Sequence, residues 1–247
     1  MRFIKKPNLP KKAVRVAIVD KRIGECGRRL ESLGVNLIYT EDIKSLSPFI
    51  AAHPDMQICH AGDNRFFVID DAFEYYVNEF ERIGANALCE KINKEGTENC
   101  LLTYPKDCVL NVAMTKGLAI GLKGNEILKK TDGIKVYTRQ GYTKCSVIFV
   151  SDKAIITADS SIAKSSQNFG IDVCIVSNDA VGLSGYKNGF IGGVAGKISE
   201  NKLAFCGNLE LHDDSEKIKS FCKKYDVECI SLSNAPLYDY GSILPIL

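Results

Sequence analysis

The chain has 247 residues, an ordinary globular composition and a net charge of +2. That balance offers no electrostatic footprint for nucleic acid, and no apolar run reaches the length of a membrane span. The basic N-terminus MRFIKKPNLPKK lacks an apolar core, so it reads as a loosely held arm rather than a secretory signal. The ten cysteines are therefore expected reduced, in the cytoplasm. None forms a C-x-x-C pair or a zinc spacing, so neither a metal nor another cofactor is expected.

In chain order, one segment recurs about five times. The first copy has a single leading strand, AVRVAIVD (Ala13 to Asp20), and ends in LESLGVNLIYT (Leu30 to Thr40). The second opens with MQICHAGDNRFFVID from Met56, starts its helix after Asp70-Asp71 and ends in FERIGANALCE (Phe80 to Glu90). A polar loop, Lys91 to Lys106, follows. The third, LNVAMTKGLAIGL (Leu110 to Leu122) and KKTDGIKVYT (Lys129 to Thr138), leaves little room for a hairpin. The fourth runs from CSVIFVSDKAIITAD at Cys145, through a helix after Asp159-Ser160-Ser161, to QNFGIDVCIVS (Gln167 to Ser177). A second loop, Asn178 to Asn188, leads to the fifth. That copy reads IGGVAGKISENKLAFCG from Ile191, a helix after His212-Asp213-Asp214-Ser215, and KKYDVECISLS (Lys223 to Ser233).

The unit reads strand, polar turn, strand, helix, strand. The turns Gly62-Asp63-Asn64, Ser151-Asp152-Lys153 and Ser199-Glu200-Asn201 hold short polar residues that suit hairpins. Asp and Ser at the helix starts accept from orphan N–H groups. Gly34, Gly84, Gly133 and Gly170 stand where a helix end needs a left-handed residue. One unit alone buries too little to fold, so the units share a core. Five of them predict a closed ring in one domain, residues 1–247, with strands toward the axis and helices outside. The helix-less tail GSILPIL (Gly241 to Leu247) is predicted to supply the strand missing from the first copy.

Candidate chemistry lies where strands enter the axis. In HPDMQ (His53 to Gln57), Pro54 holds His53 extended, and Asp55 then opens the inner strand. Asp55 either caps a loop or grips a guanidinium or ammonium group. In QGYTKCS (Gln140 to Ser146), Lys144 beside Cys145 would favour a thiolate. Strand neighbours point to opposite faces, however, which leaves a buried structural thiol as the other reading. Gly192 and Gly193 permit close approach of either a ligand or a neighbouring strand. Cys89, Cys174 and Cys229, in the last strands of three copies, read as buried small hydrophobes, and His60 and His212 as structural or solvent-exposed.

The repeat order, the HPDMQ start and the GFIGGVAG segment resemble the penteins, the guanidino-group-modifying enzyme fold, in particular a bacterial branch of it. The resemblance implies a five-fold pseudosymmetric α/β propeller. Its enzymes include arginine and agmatine deiminases, dimethylarginine hydrolases and amidinotransferases. They use a Cys nucleophile on a guanidinium carbon, a His as general acid/base and carboxylates that grip the guanidinium nitrogens.

Carried over residue by residue, Asp55 matches the gripping Asp. Leu110 and Asn111 stand where the His belongs, and Gly192-Gly193-Val194-Ala195-Gly196 lacks the Cys that follows Gly-Gly. An enzyme would then need Cys145 as nucleophile and His53 as base. Asn111 would supply a hydrogen bond, and Asp55, Lys144, Gly192 and Gly193 would hold the substrate. The expectation is a small cationic guanidino or amino ligand in an axial cavity, with thiol-based hydrolase or transferase chemistry left open. The alternative is a non-catalytic binding or assembly module, like the pentein that blocks ribosomal subunit joining.

Overall fold

Alternating apolar runs and polar turns fold each recurring unit into its own three-stranded sheet. The computed structural model describes residues 2–93 and 101–247. The first unit holds β1 (Val16–Val19), α1 (Glu25–Ser32) and β2 (Asn36–Tyr39). The second has α2 (Pro54–Gln57), β3 (Ile58–Gly62), β4 (Arg65–Ile69), α3 (Phe73–Arg82) and β5 (Leu88–Ile92). The third has β6 (Ala113–Thr115), β7 (Leu118–Leu122), α4 (Glu126–Lys130) and β8 (Ile134–Thr138). The fourth has α5 (Thr143–Ser146), β9 (Val147–Ser151), β10 (Ala154–Thr157), α6 (Ser160–Gln167) and β11 (Asp172–Ile175). The fifth has β12 (Ala195–Ser199), β13 (Lys202–Phe205), α7 (Ser215–Lys223) and β14 (Glu228–Ser231), and β15 (Leu244–Pro245) ends the chain.

In the second to fifth sheets the inner strand runs antiparallel to the middle strand, and the outer strand parallel to it. The first sheet obtains its inner strand from the tail. β15 pairs antiparallel with β1, setting Ala17 opposite Pro245 and Ile18 opposite Leu244. Inner strands pack side by side, β3 on β6, β9 on β12 and β12 on β15. The result is a five-fold pseudosymmetric α/β propeller, in which the chain's last residues supply the strand missing from the first sheet as the sequence predicted.

Burial explains the layering. β1, β9 and β10 are buried almost throughout, whereas β5 and β14 are partly exposed. The helices cover the sheets with one face. Tyr76 and Phe80, one turn apart on α3, are buried, and each contributes roughly 2–3 kcal/mol of transfer free energy. Asp159 caps α6 by accepting from Ile162 N at 2.8 Å. The helix-ending glycines at 34, 84, 133 and 170 all have positive φ, and Asp226 takes that role in the fifth unit at φ 56°.

Two expectations are corrected. The third unit does form a hairpin, because Lys116-Gly117 suffices to join β6 to β7, with Gly117 at φ 86°. The N-terminal arm is not loose. Phe3 is buried edge-on against Phe66 and Phe80, Ile4 N donates to Ile246 O at 2.9 Å, and Asn8 Nδ2 donates to Met114 O at 2.8 Å. Apolar and polar anchors alternate along it, which a reading of net charge hides. Of the predicted loop 91–106, residues 94–100 lie outside the described residues. The 178–188 loop pairs with the tail through Gly182 and Tyr238. Among the described residues, no helix is long and apolar enough to cross a membrane.

Candidate functional site

The turn just before each inner strand delivers side chains or backbone to the axis. Asp55 lies three residues before β3, Asn111 two before β6, and Lys144 and Cys145 three and two before β9. Gly192 and Gly193 stand at the same offsets before β12, and Gly241 and Ser242 before β15. Asp55 therefore sits in the single turn of α2 rather than in the strand, with Pro54 as its first residue and His53 extended at φ −64°, ψ 124°. Lys144 and Cys145 share the short helix α5. Helical rather than strand geometry brings both toward Asp55, which corrects the expectation that they diverge.

A hydrogen-bonded cluster joins these residues. Asp55 Oδ2 accepts from Ser242 Oγ at 3.0 Å and from Cys145 Sγ at 3.1 Å. Lys144 Nζ donates to Ser242 Oγ at 2.8 Å. Asn111 clamps Cys145 twice, donating from Nδ2 to Sγ at 3.0 Å and accepting at Oδ1 from Cys145 N at 3.0 Å. His53 Nδ1 lies 3.9 Å from Asp239 Oδ1. Asp239 is held in turn by Phe190 N and Gly241 N, at 2.8 and 2.9 Å. Beside them, buried Asp20 forms a bidentate pair with Arg22, Nε–Oδ1 2.9 Å and Nη2–Oδ2 2.5 Å.

The cluster is dry. His53, Asp55, Asn111, Cys145, Asp239 and Ser242 are at most 3% exposed. Two of its polar atoms, His53 Nε2 and Asp55 Oδ1, have no hydrogen-bond partner. A cavity of about 20 Å³ adjoins it, with Asp55, Lys144, Asn8, His60 and Met114 in its lining. That volume suits one water-sized molecule. Burial pushes the Asp55 carboxyl up to about 6 against the pull of Lys144, and raises Asp239. Burial also lowers His53 and Lys144. The Cys145 thiol is driven well above its ordinary value by burial, with the Asp55 and Asp239 charges adding to the effect. Lys144 Nζ makes its hydrogen bond to Ser242 and not to Cys145 Sγ.

This fold is that of the penteins. The chain superposes on inosamine-phosphate amidinotransferase of Streptomyces griseus with a TM-score of 0.60 at 10% identity, covering 97% of this chain and 95% of that one. A substrate-bound agmatine deiminase of C. jejuni gives 0.55 at 9%, covering 98% and 95%. A citrulline complex of DDAH from Pseudomonas aeruginosa gives 0.51 at 8%, covering 91% and 93%. Residues 18–244 match the family of unknown function DUF6873, and the chain belongs to that family. No curated protein matches it by sequence.

Of the residues singled out from sequence, His53, Asp55, Asn111, Lys144 and Cys145 converge. Gly192 and Gly193 lie behind them. A Cβ on Gly192 would come within 2.5 Å of Cys145 O, and one on Gly193 within 1.8 Å of Asp239 Oδ1. These two glycines make room for the neighbouring blade and for a carboxylate. Asp20, Arg22, Asp239 and Ser242 complete the cluster. Ser242 had a signal, its place in GSILPIL matching that of Cys145 before β9. Cys174 is buried as expected, but Cys89 and Cys229 are only partly buried, because outer strands face solvent at their edges. His60 stacks on Phe66, and His212 bonds Ser177 O and Asp214 N, both structural placements.

Proposed function

We propose that the chain binds a small guanidino or amino cation at the axial cluster, with Cys145 as nucleophile and His53 as general acid/base. The observation that carries this reading is charge balance. Three buried carboxylates of the cluster, Asp20, Asp55 and Asp239, face two basic side chains, Arg22 and Lys144, the second lowered by burial. Asp239 has only His53, whose imidazole burial keeps toward neutrality. A bound cation would offset the surplus and lower the thiol, because an opposite charge favours the thiolate.

In this reading Cys145 Sγ attacks the guanidinium carbon. His53 takes the thiol proton and returns it to the departing amine or ammonia. The amidino-thioether left on Cys145 then passes to water or to an acceptor amine. His53 and Cys145 offer ligand atoms within 4.8 Å of one another, close enough for proton transfer after a small adjustment. The structural neighbours include amidinotransferases and an agmatine deiminase, which supports a guanidino ligand. Entry requires movement of loops 41–52 and 178–190, which meet through Phe49 and Tyr186 with ring centroids 6.1 Å apart.

The test is calorimetric titration of the intact chain with guanidinium, arginine and agmatine. At least one should bind the wild type, and Asp55→Asn should weaken it tenfold or more while keeping its circular dichroism spectrum. Equal binding by the Asn variant, or no binding of any probe, would overturn the reading.

A further inference from the structure

We propose that His53, Asp55 and Cys145 form a three-ligand site for a thiophilic divalent cation such as zinc, with a fourth position open to water or a ligand. The proposal uses three residues of the previous reading but does not rest on it, since a metal needs neither a guanidino group nor turnover. Each residue presents one ligand-type atom, and the three atoms lie within 4.8 Å of one another. All three residues are buried.

The second observation concerns unused valence. Nε2 of His53 and Oδ1 of Asp55 are buried without partners, an arrangement that costs free energy unless something is bound. Asp239 faces His53 Nδ1 and Ser242 donates to Asp55 Oδ2. Asn111 donates to Cys145 Sγ, and Sγ donates to Asp55 Oδ2 at 3.1 Å, a bond the metal would replace when the thiol proton leaves. Outer-shell carboxylates and amides of this kind orient ligands and fix which imidazole nitrogen meets the metal.

The donor set is one nitrogen, one oxygen and one sulfur. It favours zinc over magnesium or calcium, which prefer oxygen alone. Three protein ligands with one open position is the pattern of reactive rather than closed structural zinc sites. Zinc bonds of about 2.0–2.3 Å require the ligand atoms to draw together by roughly 1 Å, within reach of side-chain rotation. Binding releases the Cys145 thiol proton to solvent, and the thiolate and carboxylate then balance the dication. Because α2 and α5 lie about ninety residues apart, no local spacing marks the set. A search for C-x-x-C spacing therefore passes over it.

The experiment titrates the metal-stripped full chain with cobalt(II), then with zinc in competition. One equivalent should produce a thiolate-to-cobalt charge-transfer band together with the intense visible bands of four-coordinate cobalt. Cys145→Ser should remove the charge-transfer band. His53→Gln and Asp55→Asn should weaken affinity at least tenfold, and Asp239→Asn by about 10–100-fold as an orienting residue. X-ray absorption of the zinc-loaded wild type needs no variant. A single sulfur at about 2.3 Å with nitrogen and oxygen at about 2.0–2.2 Å supports the site. Failure to retain zinc, a shell of several sulfurs, or a charge-transfer band that survives Cys145→Ser would overturn it. Guanidino binding without metal binding would reject this site alone, and metal binding without guanidino binding would reject the earlier reading alone.

Discussion

Residues just before the inner strands and residues within them form successive layers along one axis. The first layer holds Asp55, Asn111, Lys144, Cys145 and Ser242, joined by hydrogen bonds. The second holds Ile58, His60, Met114 and Leu244 of the inner strands and Val112 just before β6, which line the small cavity with Asn8 of the N-terminal arm, Asp55 and Lys144. The same five repeats build both. The apolar layer follows from strand burial and supports the fold. The polar layer buries charges that a full set of well-packed apolar residues would often replace without loss of stability, and this is the ground for the proposed ligand.

The largest expected effect lies in the apolar region. Phe66 is fully buried and contacts the rings of Phe3, His60 and Phe80. Phe66→Ala should cost about 3–5 kcal/mol in urea unfolding while leaving metal or guanidinium affinity unchanged in the folded fraction. A fall in affinity as large as the fall in stability would mean that the layers are not separable.

Next comes Lys144→Met. Lys144 reaches Asp55 through Ser242, with Nζ–Oγ 2.8 Å and Oγ–Oδ2 3.0 Å, so the variant leaves the buried carboxylate without that compensation, a loss of about 3 kcal/mol. The Asp55 carboxyl already sits up at about 6. Its folded value exceeds its unfolded one, so its stabilising contribution is full at low pH and is lost as pH rises through 6. The Lys144→Met penalty should therefore be large at pH 8, small at pH 5, and mostly cancelled by adding Asp55→Asn. A penalty independent of pH would show that Lys144 acts by packing alone.

His60 sharpens the comparison from the other layer. Burial pushes its imidazole down to about 4. Its folded value lies below its unfolded one near 6.5, so its contribution is full above pH 6.5 and is lost as pH falls toward 4. The loss reaches about 3 kcal/mol. Unfolding at pH 7 and pH 4.5 should show this loss in the wild type and much less of it in His60→Leu. Parallel pH profiles would mean that His60 is solvated.

Much of the fold was legible because hairpin turns, helix caps and the Gly-apolar junction repeat at each unit. The tail strand was legible from what the first copy lacks. The N-terminal arm was not, because its anchors are scattered single residues, Phe3, Ile4 and Asn8, contacting distant strands. His53, Asp55, Asn111, Lys144 and Cys145 were legible as residues at the starts of inner strands, but their place in the turns before those strands and their mutual contacts were not. Those contacts depend on the turns before β3 and β9 being helical, a tertiary preference that four-residue segments do not reveal. Asp20 followed a plain apolar strand, and its pairing with Arg22 at the axis had no sequence mark beyond the sign of the charges.

The smallest expected change in stability carries the central claim, that the polar layer exists to bind rather than to hold the ring. Asp55→Asn keeps the shape of the side chain and removes one buried charge, while Lys144, already lowered by burial, keeps its bond to Ser242. The direct measurement is its thermal unfolding with and without zinc, beside the wild type. The expected result is a midpoint without metal equal to or above that of the wild type, with the zinc-induced rise abolished. A variant that melts well below the wild type yet keeps its full zinc response would contradict the claim and make Asp55 a support of the fold.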